Sequence, residues 1–307
     1  MNILITGPLG HIGSELIRNL YKINKLNKAY LIDLRDSNLN VLFNLKYKKK
    51  KIKFLHGDLL DNKILDKIKS KIDVVVHLAS ITNAEESFKI KNLLYKNNYG
   101  IFKNIVNYCI KKKSKLIHIS STSIYGQQSD LVNEECKFLK PQSPYAEVKL
   151  LEEKFLKRNK NNINFITLRF GTITGVSAGM RFHTAVNKFC FKTILRENIP
   201  VWNNAIDQYR PYLSLPDALL AIISIINKNL FDNQTYNVLS RNYTVRQILN
   251  IIHSFKYSTK IKKTKSAILN QNSYKVSGKK FDIFKIKFKK NIKKDIKNTL
   301  NLIKYLY

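Results

Sequence analysis

The chain has 307 residues, 44% of them hydrophobic and 25% charged, enough apolar material for one large core or two smaller ones. No apolar run approaches the ~18 residues of a membrane span, the start of the chain lacks the basic-then-apolar pattern of a leader, and three scattered cysteines (Cys109, Cys136, Cys190) offer no disulfide framework, so a reduced, cytoplasmic setting and no membrane partner are expected. The formal charge of +34 is spread through most segments, densest over 48–51, 111–113 and the last fifty residues. It keeps company with abundant Asn, Ile and Tyr that share A/T-rich codons, so it reads as composition bias on a solvated surface. No nucleic-acid partner is expected, although such a field favours anionic ligands.

Residues 3–5 read as a buried strand, and Gly7-Pro8-Leu9-Gly10-His11-Ile12-Gly13 leads from it into a helix over 14–20. A glycine turn between a first strand and a first helix is the context of a dinucleotide-binding fingerprint. The backbone approaches a pyrophosphate there, and the helix N-terminus offers it free N–H groups. A strand over 29–32 ends at Asp33, twenty residues after Gly13. A carboxylate at that point accepts from a ribose diol and repels a 2′-phosphate, favouring NAD over NADP, with Arg35 as the neighbour that pulls the other way. A third strand over 52–55 runs into His56-Gly57-Asp58-Leu59, where Asp58 suits an adenine contact and a helix cap equally. A helix over 59–69 precedes a strand over 74–76, and His77-Leu78-Ala79-Ser80 follows it with small residues that let a cofactor lie against the backbone.

Helical periodicity over 85–110 precedes a fifth strand at 116–119, in which His118 reads as a packed core histidine. A helix over 143–158, with Pro144 in its first turn, precedes a sixth strand at 165–168. This β-α alternation with nearly all-apolar strands predicts an α/β fold, a Rossmann-type doubly wound parallel sheet covered on both faces. After Arg169 the rhythm changes. Helices over 182–196, 215–227, 245–253 and 291–305 alternate with short strands over 199–202, 211–213 and 235–239. The expected domains are 1–169 for the dinucleotide and a smaller α/β substrate lobe over 170–307, with 205–229 packing back on the first.

Tyr145 and Lys149 stand four apart on the helix over 143–158, on one face and one turn from each other. An ammonium near a phenol favours the phenolate, so the tyrosine can serve as a base near neutral pH, with a hydroxyl from Ser121, or alternatively Ser123, in reach of the same substrate oxygen. Tyr-x-x-x-Lys alone is a weak signal in a chain this rich in both residues. His56, His77 and His183 show no zinc spacing, so no metal is expected.

Taken in order, Thr6-Gly7-x-x-Gly10-x-Ile12-Gly13, Asp33, Gly57-Asp58-Leu59, His77-Leu78-Ala79, Asn97-Asn98-Tyr99-Gly100, Ser120-Ser121-Thr122-Ser123-Ile124-Tyr125-Gly126, Tyr145-Ala146-Glu147-Val148-Lys149, Leu168-Arg169-Phe170 and Arg210-Pro211-Tyr212 resemble the NAD-dependent nucleotide-sugar epimerases and dehydratases of the extended short-chain dehydrogenase/reductase family. The resemblance implies NAD as cofactor, held by Gly7, Gly10, His11, Ile12, Gly13, Asp33, Asp58, Leu59, Leu78, Ala79 and Asn97 together with Tyr145 and Lys149. It implies Tyr145 as catalytic acid/base, Lys149 lowering its pKa, and Ser121 polarising the reacting oxygen. It implies a nucleotide-diphosphate sugar as substrate, with Arg210 on the diphosphate and Thr172, Arg181 and His183 in the substrate loops. It also implies a homodimer through the helices that carry Asn97 and Tyr145.

The family's 4,6-dehydratases carry an Asp-Glu pair just after the position of Ser121, and its decarboxylases a glutamate where Ser123 stands. Here the residues are Thr122 and Ser123. Epimerisation through a transient ketone is therefore the expected reaction, by elimination, with dehydration, decarboxylation or reduction as the near alternatives. A non-catalytic NAD-sensing or nucleic-acid-binding module is the distant one, and the intact Ser121, Tyr145 and Lys149 count against it. Gly171 and Thr172 stand where many sugar epimerases have asparagine. Residues 203–208 replace the family's glycine-rich loop. Both departures lie on the substrate side.

Overall fold

Val74, Val75 and Val76 show why the centre of the molecule is a sheet: side chains along a strand alternate faces, and all three of these are buried. In the computed structural model, which describes every residue except 44, 46–50, 203–204, 265–272 and 306–307, seven parallel strands form this sheet. They are β1 (Asn2–Thr6), β2 (Lys28–Asp33), β3 (Ile52–His56), β4 (Val74–His77), β5 (Lys115–Ser121), β7 (Phe165–Phe170) and β11 (Thr235–Val238), in the order β11-β7-β5-β4-β1-β2-β3. Short strands β6 (Leu131–Val132) and β14 (Lys275–Val276) pair with each other. So do β9 (Asn198–Trp202) and β13 (Lys260–Thr264), while β8 (Thr172–Thr174), β10 (Tyr209–Ser214) and β12 (Arg241–Thr244) form a third small sheet.

The helices are α1 (His11–Arg18), α2 (Lys63–Asp66), α3 (Lys91–Leu94), α4 (Gly100–Lys112), α5 (Pro144–Arg158), α6 (Ala185–Ile194), α7 (Leu215–Lys228), α8 (Val245–His253) and α9 (Ile292–Lys304). Strand alternation sorts them into two layers. Ile3 and Ile5 face α1 and α7, whose Leu16, Ile17, Ala218, Ile222 and Ile225 join the same core. Leu4 and Val75 face the opposite way, onto Phe102, Ile105 and Val106 of α4 and Leu156 of α5. A third core joins α6, α8, α9 and β9 around Val186, Ile199, Ile248 and Ile296. At ~1.5–3 kcal/mol for each large apolar side chain removed from water, these cores dominate the folding free energy.

Two helices differ from the sequence expectation. The segment expected to be helical over 59–69 forms only α2, because Asp58 Oδ1 accepts from the Leu60 N–H (2.9 Å) and Asp61 Oδ1 from the Lys63 N–H (3.0 Å), and such turns compete with helix. The long helix expected from 85 begins at Lys91, after a short 3₁₀ turn over Glu86–Phe88. A π turn at Tyr95–Tyr99 separates α3 from α4. That turn buries Asn98, whose side-chain amide takes the Ile81 N–H and gives to the Ile81 carbonyl, both at 2.9 Å, and so anchors the loop after β4.

Candidate active site

The chain leaves β1 and turns at Gly7, whose φ of +67° suits glycine and whose missing Cβ would lie 2.7 Å from the Ala79 nitrogen. Leu78 and Ala79 are held in that close approach by Thr6 Oγ1, which accepts both their N–H groups at 3.2 Å. Helix α1 then starts without a side-chain cap. Gly10 faces the cavity above the turn, where an added Cβ would be in ordinary contact with the Gly7 carbonyl oxygen (3.4 Å) and the Arg181 guanidinium (3.6 Å). A glycine turn on the cavity, uncapped N–H groups and a helix dipole fit the pyrophosphate of a dinucleotide. Asp33, at the end of β2, accepts the Leu9 and Arg35 N–H groups at 3.1 Å each, which ties it to the same turn.

A second segment clamps this turn from the substrate side. The His11 ring Nε2 bonds the Gly175 carbonyl (2.8 Å), Ser177 Oγ gives to the His11 carbonyl (2.9 Å), and the Gly179 N–H gives to Ser14 Oγ (3.0 Å). Burial pulls the His11 pKa down to about 4, so the ring is neutral at pH 7 and its Nε2 carries the donated proton. The clamp carries Arg181 across the cavity, where its guanidinium bonds Thr82.

The opposite wall belongs to β5 and α5. Ser143 caps α5 by accepting the Ala146 N–H (3.2 Å), and Pro144 opens the first turn, which fixes where Tyr145 emerges. Lys149 Nζ lies 5.9 Å from the Tyr145 ring centre. Ser121 ends β5, and its hydroxyl stands 2.9 Å from that of Ser123 while accepting the Ser123 N–H at 3.2 Å. Both serines, Tyr145 and Lys149 face one cavity of about 460 Å³.

Burial raises the Tyr145 pKa. Lys149, Arg181 and Ser121 pull it down, and Glu152 pushes it back up, with a net rise. The neutral-pH phenolate expected from the Tyr145–Lys149 spacing is thus opposed by desolvation and by a carboxylate that the spacing did not reveal. Glu152 Oε2 takes a bond from Lys149 Nζ at 2.8 Å and another from His118 Nε2 at 2.9 Å. His118 is fully buried, as expected, but it belongs to this network rather than to plain packing. Alongside, Arg169 forks onto Glu153 (2.6 Å) and gives to the Tyr125 hydroxyl (2.8 Å).

The far end of the cavity is built by β8, β10 and α6. Thr172, His183, Lys188 and Arg210 line it, and the Arg210 guanidinium stacks 5.1 Å from the Tyr274 ring centre. Among the described lining residues Glu85 is the single acid, against Lys149, Arg181, Lys188 and Arg210, so the cavity favours an anionic ligand. Gly7, Gly10, His11, Ile12, Gly13, Leu78, Ser121, Tyr145, Lys149, Thr172, Arg181, His183 and Arg210 all line it. Asp33, Asp58, Leu59, Ala79 and Asn97 lie outside its lining: Leu59 is in the core, and Asp58 holds a turn. Asn203 and Asn204, in the segment that replaces the glycine-rich loop, lie outside the described residues. Sequence reasoning missed Glu152, whose one signal was its i,i+3 spacing from Lys149 on the buried face of α5. Among the described residues no cluster of three or more His, Cys, Asp or Glu could hold a metal ion, and no helix is long and apolar enough to cross a membrane.

A family model described as the NAD dependent epimerase/dehydratase family matches residues 3–238. A dTDP-D-glucose 4,6-dehydratase of Dictyostelium discoideum is 34% identical over 163 residues, 47% of this chain and 37% of that protein. A UDP-glucose 4-epimerase of Yersinia enterocolitica is 33% identical over 162 residues, 51% and 48% of the two chains. The matched parts thus span less than half of either relative. In fold the chain is similar to the UDP-glucuronic acid 4-epimerase of Bacillus cereus solved with UDP-glucuronic acid and NAD: TM-score 0.88, 23% identity, all of both chains covered.

Proposed function

This chain belongs to the NAD dependent epimerase/dehydratase family, and on that premise we propose that it interconverts two epimers of a nucleotide-activated sugar. The observation that carries the choice is the neighbourhood of Tyr145: Ser121, Thr122 and Ser123 line the cavity beside it, and none of them offers a second carboxyl acid or base. In this reading Tyr145 takes the proton of a sugar hydroxyl and later returns it, a contribution of roughly 10²–10⁴-fold. Ser121 hydrogen-bonds the same oxygen, and Lys149 favours the phenolate form of Tyr145 that takes the proton and is restored when the proton is returned. NAD, when bound, supplies the hydride acceptor and donor. Arg210 pairs with the diphosphate, a task suited to a guanidinium. Thr172, Arg181 and His183 complete the substrate side. Asp33 takes the adenosine ribose. A homodimer through the helices that carry Asn97 and Tyr145, with Phe88 of the 3₁₀ turn and Leu93 of α3 exposed beside them, and a cytoplasmic setting suited to three free cysteines belong to the same proposal.

The test incubates the NAD-loaded protein with UDP-, GDP- and dTDP-sugars and reads the products by NMR. One epimer pair reaching equilibrium without accumulated NADH supports the reading. A 4-keto-6-deoxy sugar would move the chain to dehydration, and net NADH to a dehydrogenase.

A further inference from the structure

Glu152 sits one turn beyond Lys149 on α5, buried to 1% exposure and outside the cavity lining, so it touches neither substrate nor cofactor space. Burial of a carboxylate is costly unless it is paired and hydrogen-bonded. Here one oxygen, Oε2, receives both the Lys149 ammonium (2.8 Å) and the His118 Nε2–H (2.9 Å). The His118 Nδ1 in turn stands 3.2 Å from Thr167 Oγ1, whose hydroxyl can donate to it. The chain Thr167–His118–Glu152–Lys149 therefore runs from β7 through β5 to α5, each link on a rigid element.

We propose that Glu152, oriented by His118, is a positioning residue that fixes the Lys149 ammonium beside the Tyr145 ring and offsets part of its positive charge there. The proposal rests on the reading of Tyr145 as acid/base. The charged and titratable groups around this point are Lys149, Glu152 and Glu153 on α5, His118 on β5, His77 on β4, Arg169 on β7 and Arg181 from the clamp. Arg169 is already engaged by Glu153, and burial drives His77 and His118 to their neutral forms. Glu152 is thus the carboxylate set directly against Lys149. Its negative charge makes the phenol hold its proton more tightly than Lys149 and Arg181 alone would allow.

The test titrates Tyr145 in the NAD-free protein by phenolate absorbance, taken as the difference from Tyr145→Phe. Glu152→Gln keeps an acceptor for Lys149 and His118 but removes the negative charge. The Tyr145 midpoint is expected to fall by about one unit or more, with the acid limb of the kcat–pH profile moving the same way and KM little changed. An unmoved midpoint in folded Glu152→Gln overturns the proposal. If that variant does not fold, His118→Gln is titrated instead: it keeps both charges of the Lys149–Glu152 pair but removes the imidazole that orients the carboxylate. A lowered Tyr145 midpoint supports the proposal, and an unmoved one overturns it. Because the titration is read on the phenol and not on turnover, full activity in Tyr145→Phe would sink the proposed function while leaving this measurement intact.

Discussion

Under the cavity, Glu152 and Glu153 of α5 meet cations, Lys149 and Arg169, at 2.8 and 2.6 Å. In the first turns of α7 and α9, Asp217 and Asp295 meet mostly hydroxyls and backbone N–H groups. Asp217 takes Ser240 Oγ at 2.7 Å and the N–H groups of Lys289 and Lys290 at 2.8 and 3.0 Å, and Asp295 takes Thr174 Oγ1 at 2.8 Å. Both regions bury their carboxylates. In the first, opposite charge outweighs desolvation and holds the Glu152 pKa below the usual carboxylate range. In the second, burial and the neighbouring Asp217 outweigh the hydroxyls and push Asp295 up to about 6. Charge pairing gives a site whose field is constant across physiological pH. Dipole pairing gives a joint between two elements whose strength varies with pH.

Five substitutions test this contrast. The largest effect is expected at the group that draws on the charge-paired region: Tyr145→Phe should lower turnover by roughly 10²–10⁴-fold while NAD still binds, checked by product NMR and by calorimetric titration with NAD. Next, Arg169→Met strands Glu153 in a buried site and should cost about 3–5 kcal/mol in urea unfolding. A cost below 1 kcal/mol would mean that the pairing in this region is dispensable.

Asp295 and His11 should show pH dependences of opposite sign. The folded-state pKa of Asp295 is raised, so its contribution is complete below about pH 4 and is lost as pH climbs through about 6. Asp295→Asn should remove up to about 3 kcal/mol of that slope. The His11 pKa is lowered, so its contribution is present above about pH 6.5 and is lost as pH falls towards 4. His11→Phe should flatten that acid slope by up to about 3 kcal/mol, at the expense of the Gly175 contact. Urea melts across pH 4–8 read both. The smallest effect is expected at Asp33, which, like Asp217, is held by N–H groups: Asp33→Ser should improve NADP binding relative to NAD by about tenfold, about 1.4 kcal/mol, in parallel titrations.

Much of the sheet could be read from the chain because strand and helix periodicities are local. Apolar triplets such as 74–76, the turn from Gly7 to Gly13 and the Ser143-Pro144 helix start each carry their cause within a few residues. Of the small strands, β9 and β10 are legible as short apolar runs at 199–202 and 211–213, whereas β6, β8, β12, β13 and β14 are not. Residues 260–264 form β13 only by pairing with 198–202, and β6 and β14 meet across 142 residues of chain, taking register Leu131 to Lys275. Nothing local specifies such partners.

The site divides along the same line. Read along the chain, residue type and spacing single out Ser121, Tyr145, Lys149, the glycines of the turn and Asp33 as candidates. Side-chain type and spacing along one element are sufficient for that. What surrounds them comes from the fold: His11 pinned to Gly175, Arg181 carried across to Thr82, and His118 brought beside Glu152 so that the lysine next to Tyr145 is already paired. A buried charge is set by whatever the fold packs within a few ångströms of it. Those neighbours come from strands and helices far apart in the chain.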